Sequence, residues 1–125
     1  MPVTVLVVDD DARFRGLAAR MLVSLDMAVV GEVGTVAAAA EAAAELRPDA
    51  VLVDVGLPDG NGLTLARQLA ALPWRPRILI VSSDRDATTP EDARSLGAVG
   101  FVAKDDLPEL SLARLLAGGQ DLEYG

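Results

Sequence analysis

Two residue types that carry much of protein chemistry are missing from this chain of 125 residues, which has no cysteine and no histidine. The lack of cysteine excludes disulfide bonds, thiol nucleophiles and metal sites built on thiolates. The lack of histidine excludes Ser-His-Asp triads, imidazole acid–base catalysis and a phosphohistidine. If a phosphoryl group is transferred to this chain, its acceptor must therefore be a carboxylate or a hydroxyl.

Positive charge is also scarce. Eleven basic residues stand against nineteen acidic ones, which gives a formal net charge of −8. This balance argues against a nucleic-acid-binding surface, since affinity for that polyanion comes largely from lysine and arginine, and it suits hard cations such as Mg2+. No apolar run is long enough to cross a bilayer, and the chain enters an apolar segment at Val3 without a charged leader. We therefore expect a soluble, cytoplasmic protein that binds neither membranes nor nucleic acids directly.

Short apolar runs alternate with segments of helical periodicity along the whole chain. The runs predict strands at 3–8, 27–30, 50–54, 77–81 and 99–103, and the segments between them predict helices at 12–25, 36–46, 63–72, 90–97 and 108–117. Five β-α repeats with right-handed crossovers predict a three-layer α/β fold, in which helices cover both faces of a parallel sheet. The expected strand order is 2-1-3-4-5, which is the flavodoxin-like order. We expect one domain over residues 1–119 and a tail over residues 120–125.

Polar side chains stand where the predicted strands end: Asp9 and Asp10 after the first, Asp54 at the end of the third, Ser82 after the fourth and Lys104 after the fifth. The carboxyl ends of parallel strands lie along one edge of a sheet, so these side chains are expected to converge. Three carboxylates there would repel one another unless a divalent cation or a cationic side chain joined them. Carboxylates, a backbone carbonyl and waters are the ligands that Mg2+ prefers. A hydroxyl and an ammonium beside them suit a phosphoryl group.

Asp54 is the candidate nucleophile at this edge. The buried apolar run before it stops at its carboxylate, and the Pro-Asp-Gly-Asn-Gly sequence at 58–62 has the composition of a loop. The simpler interpretation is that Asp54 is only a turn residue. Within the loop, Asp59, Gly60 and Gly62 fit turn geometry better than they fit phosphate binding.

Lys104 is the single lysine of a chain that has ten arginines. A lysine is a compact point charge on a flexible stem, whereas arginine is a broad planar fork. The exception at the end of a strand therefore indicates a site. The alternative is an ordinary solvated lysine.

Four motifs together resemble the receiver domains of two-component response regulators. They are Val7-Val8-Asp9-Asp10, Val53-Asp54 with the loop Leu57-Pro58-Asp59-Gly60-Asn61-Gly62, Val81-Ser82-Ser83, and Gly100-Phe101-Val102-Ala103-Lys104. All four occur in the order and spacing of that family, and the resemblance runs from about Val3 to Ala117.

The resemblance implies a phosphoacceptor switch rather than an enzyme with a substrate of its own. Its only chemistry would be self-phosphorylation from a donor and slow autodephosphorylation. Asp54 resembles the phosphoacceptor. Asp10 and Asp54 would bind Mg2+, or another divalent cation such as Mn2+, directly. The Gly56 carbonyl would be a third protein ligand, and Asp9 would act through water.

In the same resemblance, Ser82 and Lys104 would contact the oxygens of the phosphoryl group. Phe101 stands at the aromatic switch position, which turns inward when Ser82 is drawn toward the phosphate. The surface of the fourth helix, fifth strand and fifth helix would change in response. The family implies a histidine kinase or a phosphotransfer protein as donor, and a downstream protein or a missing output domain as recipient. The resemblance does not determine whether the chain forms a homodimer.

Three positions depart from the common pattern of the family. Asp105 follows Lys104 where the family commonly has a proline with a cis bond. We expect a trans peptide here, unless strain is stored, because a cis bond before a non-proline residue costs about 2.5–4 kcal/mol. The Lys-Asp pair resembles the subgroup that precedes a helix-turn-helix DNA-binding domain, so a fragment of a transcriptional regulator is one alternative. Gly56 and Asp84 flank the path of the hydrolytic water in the family and leave the lifetime of the phosphoryl group open.

Other function classes fit the sequence less well. A haloacid-dehalogenase-like phosphatase needs a second aspartate two residues after its nucleophile, where Gly56 stands. A flavodoxin or Rossmann protein needs a phosphate-binding loop rich in glycine or hydroxyls after the first strand, where three aspartates stand. The remaining alternative is a receiver-like binding module that works without phosphorylation, and it would show no carboxylate-dependent Mg2+ binding.

Overall fold

The alternating apolar and amphipathic segments form alternating strands and helices. A computed structural model describes residues 2–107 and 109–117. The elements in chain order are β1 (Thr4–Val8), α1 (Ala12–Ser24), β2 (Ala28–Val33), α2 (Val36–Leu46), β3 (Ala50–Asp54), β4 (Gly56–Leu57), β5 (Gly60–Asn61), α3 (Gly62–Ala70), β6 (Arg77–Ser82), α4 (Pro90–Ser95), β7 (Gly100–Ala103), a 3-10 turn (Lys104–Asp106) and α5 (Glu109–Ala117). The helix start predicted at 108, the domain end predicted at 119 and the predicted tail at 120–125 lie outside the described residues. None of the helices described has the length and apolar character needed to cross a membrane.

The main sheet has five parallel strands in the order β2-β1-β3-β6-β7. Counted along the chain, these strands have the predicted order 2-1-3-4-5, so the three-layer flavodoxin-like α/β fold is confirmed. The loop after β3 contains a further antiparallel pair, β4 and β5, in a segment predicted to be irregular.

Side chains along each strand alternate between two apolar layers, as the period of a strand requires. In β1, Val5 and Val7 face α1 and α5, whereas Leu6 and Val8 face α2, α3 and α4. All four are fully buried, and burial of such side chains contributes about 1.5–3 kcal/mol each. Because helices cover both faces, the strands are apolar on both sides, which explains why they appear in the sequence as continuous apolar runs.

Several predicted boundaries were wrong by one to three residues. The largest error is in β2, which runs to Val33 although Gly31 and Glu32 interrupt its apolar pattern; backbone pairing with β1 continues across both residues. Lys104 follows β7, as predicted, and is the first residue of a 3-10 turn. The peptide between Lys104 and Asp105 is trans, as expected.

The loop that follows Asp54 is tied to the beginning of α2. The Asp59 carboxylate accepts hydrogen bonds from the N–H groups of Val36 and Ala37 at 2.7 and 3.1 Å. These hydrogen bonds hold the pKa of Asp59 below its ordinary value, and they satisfy N–H groups that have no partner within the helix. The interpretation of Asp59 as a turn residue alone was therefore incomplete, since it caps a helix that lies elsewhere in the chain.

Gly62, the first residue of α3, lies directly against the backbone of Asp54. Its N–H donates to the Val55 carbonyl at 2.9 Å. A Cβ atom at position 62 would collide with the Asp54 carbonyl oxygen and would lie 2.7 Å from Val55 Cα. Glycine is required here because two backbone segments approach each other closely, which turn geometry does not explain.

The opposite edge of the sheet carries the only tryptophan of the chain. Trp74 lies between α3 and β6, and its indole N–H donates to the Pro48 carbonyl at 2.9 Å. The guanidinium of Arg47 lies 4.6 Å from the centre of the tryptophan ring. These contacts hold together the segments that enter β3 and β6.

Candidate functional site

Strand register brings the predicted polar residues to one edge of the sheet. Val8 pairs with Val53, so Asp9 and Asp54 follow at the same height on neighbouring strands. On the other side of Asp54, Ser82 pairs with Ala103, and Lys104 comes next in the chain. The convergence that the sequence predicts therefore follows from the pairing of four adjacent strands.

Asp9, Asp10 and Asp54 form a carboxylate cluster in which one oxygen from each residue lies within 4.8 Å of the others. Asp9 is fully buried, Asp54 is 6% exposed and Asp10 is exposed. The Asp9 Oδ1 atom accepts a hydrogen bond from the Asp11 N–H at 2.8 Å. Charges of one sign at such separations repel, so the cluster requires positive charge beside it.

Lys104 supplies that charge within the protein. Its Nζ lies 2.7 Å from Asp9 Oδ2 and 3.6 Å from Asp54 Oδ1. The shorter contact has the distance of an ion pair but not the angles of a hydrogen bond, so Oδ2 accepts no hydrogen bond from the described residues. The same Nζ lies 4.3 Å from the centre of the Phe14 ring, which attracts the ammonium through its π face. Two carboxylates and an aromatic ring therefore surround the ammonium.

Burial raises the pKa of Asp54 to about 6 from its ordinary value of 3.8, and the negative charges of Asp9 and Asp10 act in the same direction against the opposing charge of Lys104. For Lys104, burial disfavours the charged form. The contact with Asp9 and the charge of Asp54 outweigh this effect and raise the pKa of Lys104 above its ordinary value. At neutral pH the site therefore holds an ionised Asp54 next to a charged ammonium.

The cluster fits a divalent cation. Three carboxylates and one ammonium leave a net charge of −2 at this edge, which one divalent cation would neutralise. Oxygen is the ligand atom that Mg2+ prefers, and the exposed Asp10 leaves the cluster open to solvent. The buried Asp9 Oδ2, with an ion pair but no hydrogen bond, indicates that the described residues do not satisfy the cluster completely.

The other predicted residues lie around this cluster. Ser82 is buried, and its Oγ accepts a hydrogen bond from the Asp84 N–H at 3.0 Å. Gly56 borders the Asp54 carboxylate, since a Cβ at this position would lie 3.9 Å from Asp54 Oδ2. Phe101 lies below the edge, half-buried in β7 and packed against the apolar layer shared with α2, α3 and α4.

Two residues at this edge were missed by the sequence patterns. Phe14 fits the helical spacing of α1, as a core residue would, but its ring also contacts Lys104. Arg15 belongs to no motif, but its Nη1 lies 2.6 Å from the Asp9 carbonyl oxygen. The one available signal was their position in the first turns of a helix that begins at the edge where β1 ends.

We expect Asp54→Asn to stabilise the metal-free protein near pH 7 by about 1–3 kcal/mol. A pKa of about 6 in the folded state against 3.8 in the unfolded chain means that folding disfavours the ionised carboxylate. This difference in pKa corresponds to about 3 kcal/mol and already includes the contact with Lys104. The lower end of the range reflects the cost of burying the polar asparagine amide. The contribution of Asp54 to stability is present below about pH 4 and is lost as the pH rises through 6. Urea denaturation in a chelator should show the gain near pH 7 and a smaller gain near pH 4.

Glu41→Gln is the matched control, because it removes the same charge from an exposed position on α2. It should change the free energy of unfolding by less than about 0.5 kcal/mol. An Asp54→Asn variant that is less stable than the wild type near pH 7 would contradict the raised pKa.

Comparison with known proteins gives a consistent result. The family model described as the response regulator receiver domain matches residues 5–114. The DNA-binding transcriptional activator DevR/DosR of Mycobacterium tuberculosis is 40% identical over 113 residues, which are 90% of this chain and 52% of that protein. The protein-glutamate methylesterase/protein-glutamine glutaminase 2 of Xanthomonas oryzae pv. oryzae is 39% identical over 120 residues, which are 94% of this chain and 32% of that protein. The chain therefore spans about half, or less, of the length of these relatives.

Solved structures agree over the whole fold. The BeF3-activated N-terminal receiver domain of Klebsiella pneumoniae RstA superposes with a TM-score of 0.77 and 33% sequence identity. The superposition covers 90% of this chain and 94% of that chain.

Proposed function

The chain belongs to the response regulator receiver domain family of two-component systems, and on this basis we propose that Asp54 is its phosphoacceptor and that Mg2+ binds beside it. The observation that carries the proposal is a buried carboxylate that lies both in an acidic cluster and next to the only lysine of the chain. A carboxylate acceptor needs an ionised nucleophile with fixed positive charge nearby to stabilise the transferred group.

In the proposed reaction, a carboxylate oxygen of Asp54 attacks the phosphorus atom of the donor. A P–O bond to Asp54 forms while the P–N bond of a phosphohistidine, or the P–O bond of a small acyl phosphate, breaks. The electron pair of the broken bond leaves with the donor. With a pKa of about 6, Asp54 is ionised at neutral pH as this step requires. Lys104, held at the edge by Asp9, can pair with the oxygens of the transferred group.

Asp10 and Asp54 would bind Mg2+ or another divalent cation such as Mn2+, with the Gly56 carbonyl as a third protein ligand. When bound, the cation supplies positive charge that offsets the carboxylates and the phosphoryl oxygens. Asp9 suits an indirect role through water, because its buried Oδ2 faces the Lys104 ammonium at 2.7 Å.

Ser82 and Phe101 would transmit the effect of phosphorylation from Asp54 to the surface of the domain. The Ser82 hydroxyl, which accepts from the Asp84 N–H, would turn to donate to a phosphoryl oxygen. Phe101, half-buried in β7, would turn inward as Ser82 moves. The bound group then biases two packings of the surface formed by α4, β7 and α5, with a coupling of about 1–3 kcal/mol.

We propose a histidine kinase or a phosphotransfer protein as the donor and a cytoplasmic location. The signal passes to a downstream protein or to an output domain outside this chain, and the length and DNA-binding description of DevR/DosR support a regulator of that kind. Residues 1–119 would form the receiver and 120–125 a tail. We expect no turnover of an external substrate. The methylesterase activity is named for a protein of which this chain covers 32%, so we do not carry that activity over to this chain.

Incubation with acetyl phosphate tests the proposal. We expect intact-mass spectrometry to show one added phosphoryl group per chain when Mg2+ or Mn2+ is present and none in a chelator. Hydroxylamine should remove the group, as the chemistry of an acyl phosphate requires. A folded chain that accepts no phosphoryl group, from acetyl phosphate or from a phosphohistidine donor, would instead favour a binding module that works without phosphorylation.

A further inference from the structure

The Arg15 guanidinium contacts the backbone of the acidic loop that follows β1. Arg15 Nη1 donates to the Asp9 carbonyl oxygen at 2.6 Å. The Arg15 side chain is 24% exposed, and its Nε lies 3.9 Å from Glu32 Oε1 on β2. The Arg15 fork therefore bridges the loop after β1 and the neighbouring strand.

The other polar atoms of Asp9 have separate anchors. Its N–H donates to the Val33 carbonyl at 3.0 Å, its Oδ1 accepts from the Asp11 N–H at 2.8 Å, and its Oδ2 is paired with Lys104. The carbonyl oxygen belongs to the peptide that joins Asp9 to Asp10. Arg15 is thus the contact that fixes the orientation of this peptide.

We propose that Arg15 is a positioning residue for divalent-cation binding, an inference that rests on the proposed function of the site. The exposed Asp10 carboxylate forms no ion pair or hydrogen bond with the described residues, so its place in the cluster depends on its backbone. A peptide that is already held in the binding orientation need not be ordered when the cation arrives, and preorganisation of this kind increases affinity. Groups that orient metal ligands typically contribute a factor of about 10–100 to metal affinity.

The charge of Arg15 acts in the opposite direction to this positioning effect. A guanidinium near the cluster repels a divalent cation, so removal of its charge alone would tighten binding. If Arg15 positions the loop, its removal weakens binding in spite of the lost repulsion. The two roles therefore predict changes of opposite sign in the same dissociation constant.

Isothermal titration calorimetry with MgCl2 distinguishes the positioning role of Arg15 from the effect of its charge. We expect Arg15→Met to raise the Mg2+ dissociation constant about tenfold. Arg15→Lys should recover part of the affinity, because it keeps the charge and can return one N–H to the Asp9 carbonyl. Arg13→Met is the matched control, since Arg13 is an exposed neighbour on α1 that forms no ion pair with any described residue; it should bind Mg2+ at least as tightly as the wild type.

Urea titration of the same metal-free variants provides the second readout. If Arg15 is only structural, its replacement should lower the denaturation midpoint, whereas the folded chain should bind Mg2+ as tightly as the wild type or more tightly. Equal or tighter Mg2+ binding by Arg15→Met overturns the positioning role while the proposed function stands. If Arg15→Met does not fold, Arg15→Ala takes its place, because it also removes the donor to the Asp9 carbonyl; Mg2+ binding equal to or tighter than that of the wild type then overturns the role. Absence of Mg2+ binding by the wild type itself overturns both this inference and the proposed function.

Discussion

Replacement of Asp54 by asparagine is expected to abolish phosphoryl transfer to the chain. The amide lacks the anionic oxygen that attacks phosphorus, so the reaction loses its nucleophile rather than one contribution to its rate. The rate of labelling by acetyl phosphate in Mg2+ should therefore fall by about a thousandfold or more, to the limit of detection. Intact-mass spectrometry over a time course measures this rate. Fold loss is not a competing explanation, because neutralising a buried carboxylate with a raised pKa favours the folded state.

Asp10→Asn distinguishes the proposed role of Asp54 as acceptor from a role in cation binding alone. Asp10 is exposed and lies in the same cluster, but its proposed role is limited to the cation. Labelling of this variant should be slow at low Mg2+ and should recover as the Mg2+ concentration rises, whereas no concentration should restore labelling of Asp54→Asn. Undiminished labelling of Asp54→Asn, with the group mapped by peptide mass spectrometry to another residue, would refute the assignment of the acceptor.

Gly62→Ala should destabilise the protein by more than about 3 kcal/mol. The new Cβ would collide with the Asp54 carbonyl oxygen and lie 2.7 Å from Val55 Cα and 2.9 Å from the Asp54 carbonyl carbon. All three are backbone atoms, so no side-chain rotation relieves the contact and α3 must move away from β3. A loss of this size is a large part of the total stability of a small domain, which is about 5–15 kcal/mol. The urea midpoint measures this loss, and labelling by acetyl phosphate should fall in parallel because the displaced backbone carries Asp54, the proposed acceptor.

Two other glycines provide graded controls. A Cβ at Gly60 would lie 3.1 Å from the Val36 side chain, which can adjust, so Gly60→Ala should cost less. A Cβ at Gly16, within α1, would approach nothing closer than the flexible end of Arg20 at 3.7 Å. Gly16→Ala should therefore stabilise the protein by about 0.5–1 kcal/mol, as expected for alanine in place of glycine in a helix. Equal effects at positions 16 and 62 would show that close approach does not determine the residue at 62.

The strand order could be predicted from the sequence because few topologies satisfy the pattern. Five apolar runs separated by amphipathic segments require a parallel sheet with both faces covered. Polar residues placed just beyond Val8, Val53 and Val81 indicate which strands end side by side at the edge that carries the candidate site. Boundaries were harder, as β2 shows, because pairing with β1 carries Gly31 and Glu32 into the strand against their local preference.

The role of Asp59 could not be read from sequence, for a different reason. Its carboxylate binds N–H groups 22 and 23 residues away along the chain. Gly62 is similar, because its requirement comes from the backbone of Asp54, to which the chain returns after the β4–β5 hairpin. Turn composition reflects only the local surroundings of both residues. Contacts made through space determine what each does.

The residues of the candidate site also form two groups: those whose position the sequence predicts and those whose contacts it does not reveal. Residues that end strands, such as Asp54 and Lys104, converge because strand ends must converge in a parallel sheet. Phe14 and Arg15 reach the same edge from within α1, where helical periodicity accounts for Phe14 without any contact to the site. Only the three-dimensional structure distinguishes a core phenylalanine from one whose ring also lies 4.3 Å from an ammonium.

The position of Trp74 determines what the intrinsic fluorescence of the molecule can report. It is the only indole in the chain, and it lies where the chain enters β6, whereas Asp54 lies at the far end of the five-residue strand β3, about 15 Å away. Indole emission should therefore change when the contacts with Arg47 and Pro48 break during unfolding. It should remain almost constant when a cation or a phosphoryl group arrives at the acidic edge. Fluorescence will thus report whether the chain is folded. Cation binding near Asp54 must be followed by calorimetry, and phosphoryl transfer by mass spectrometry.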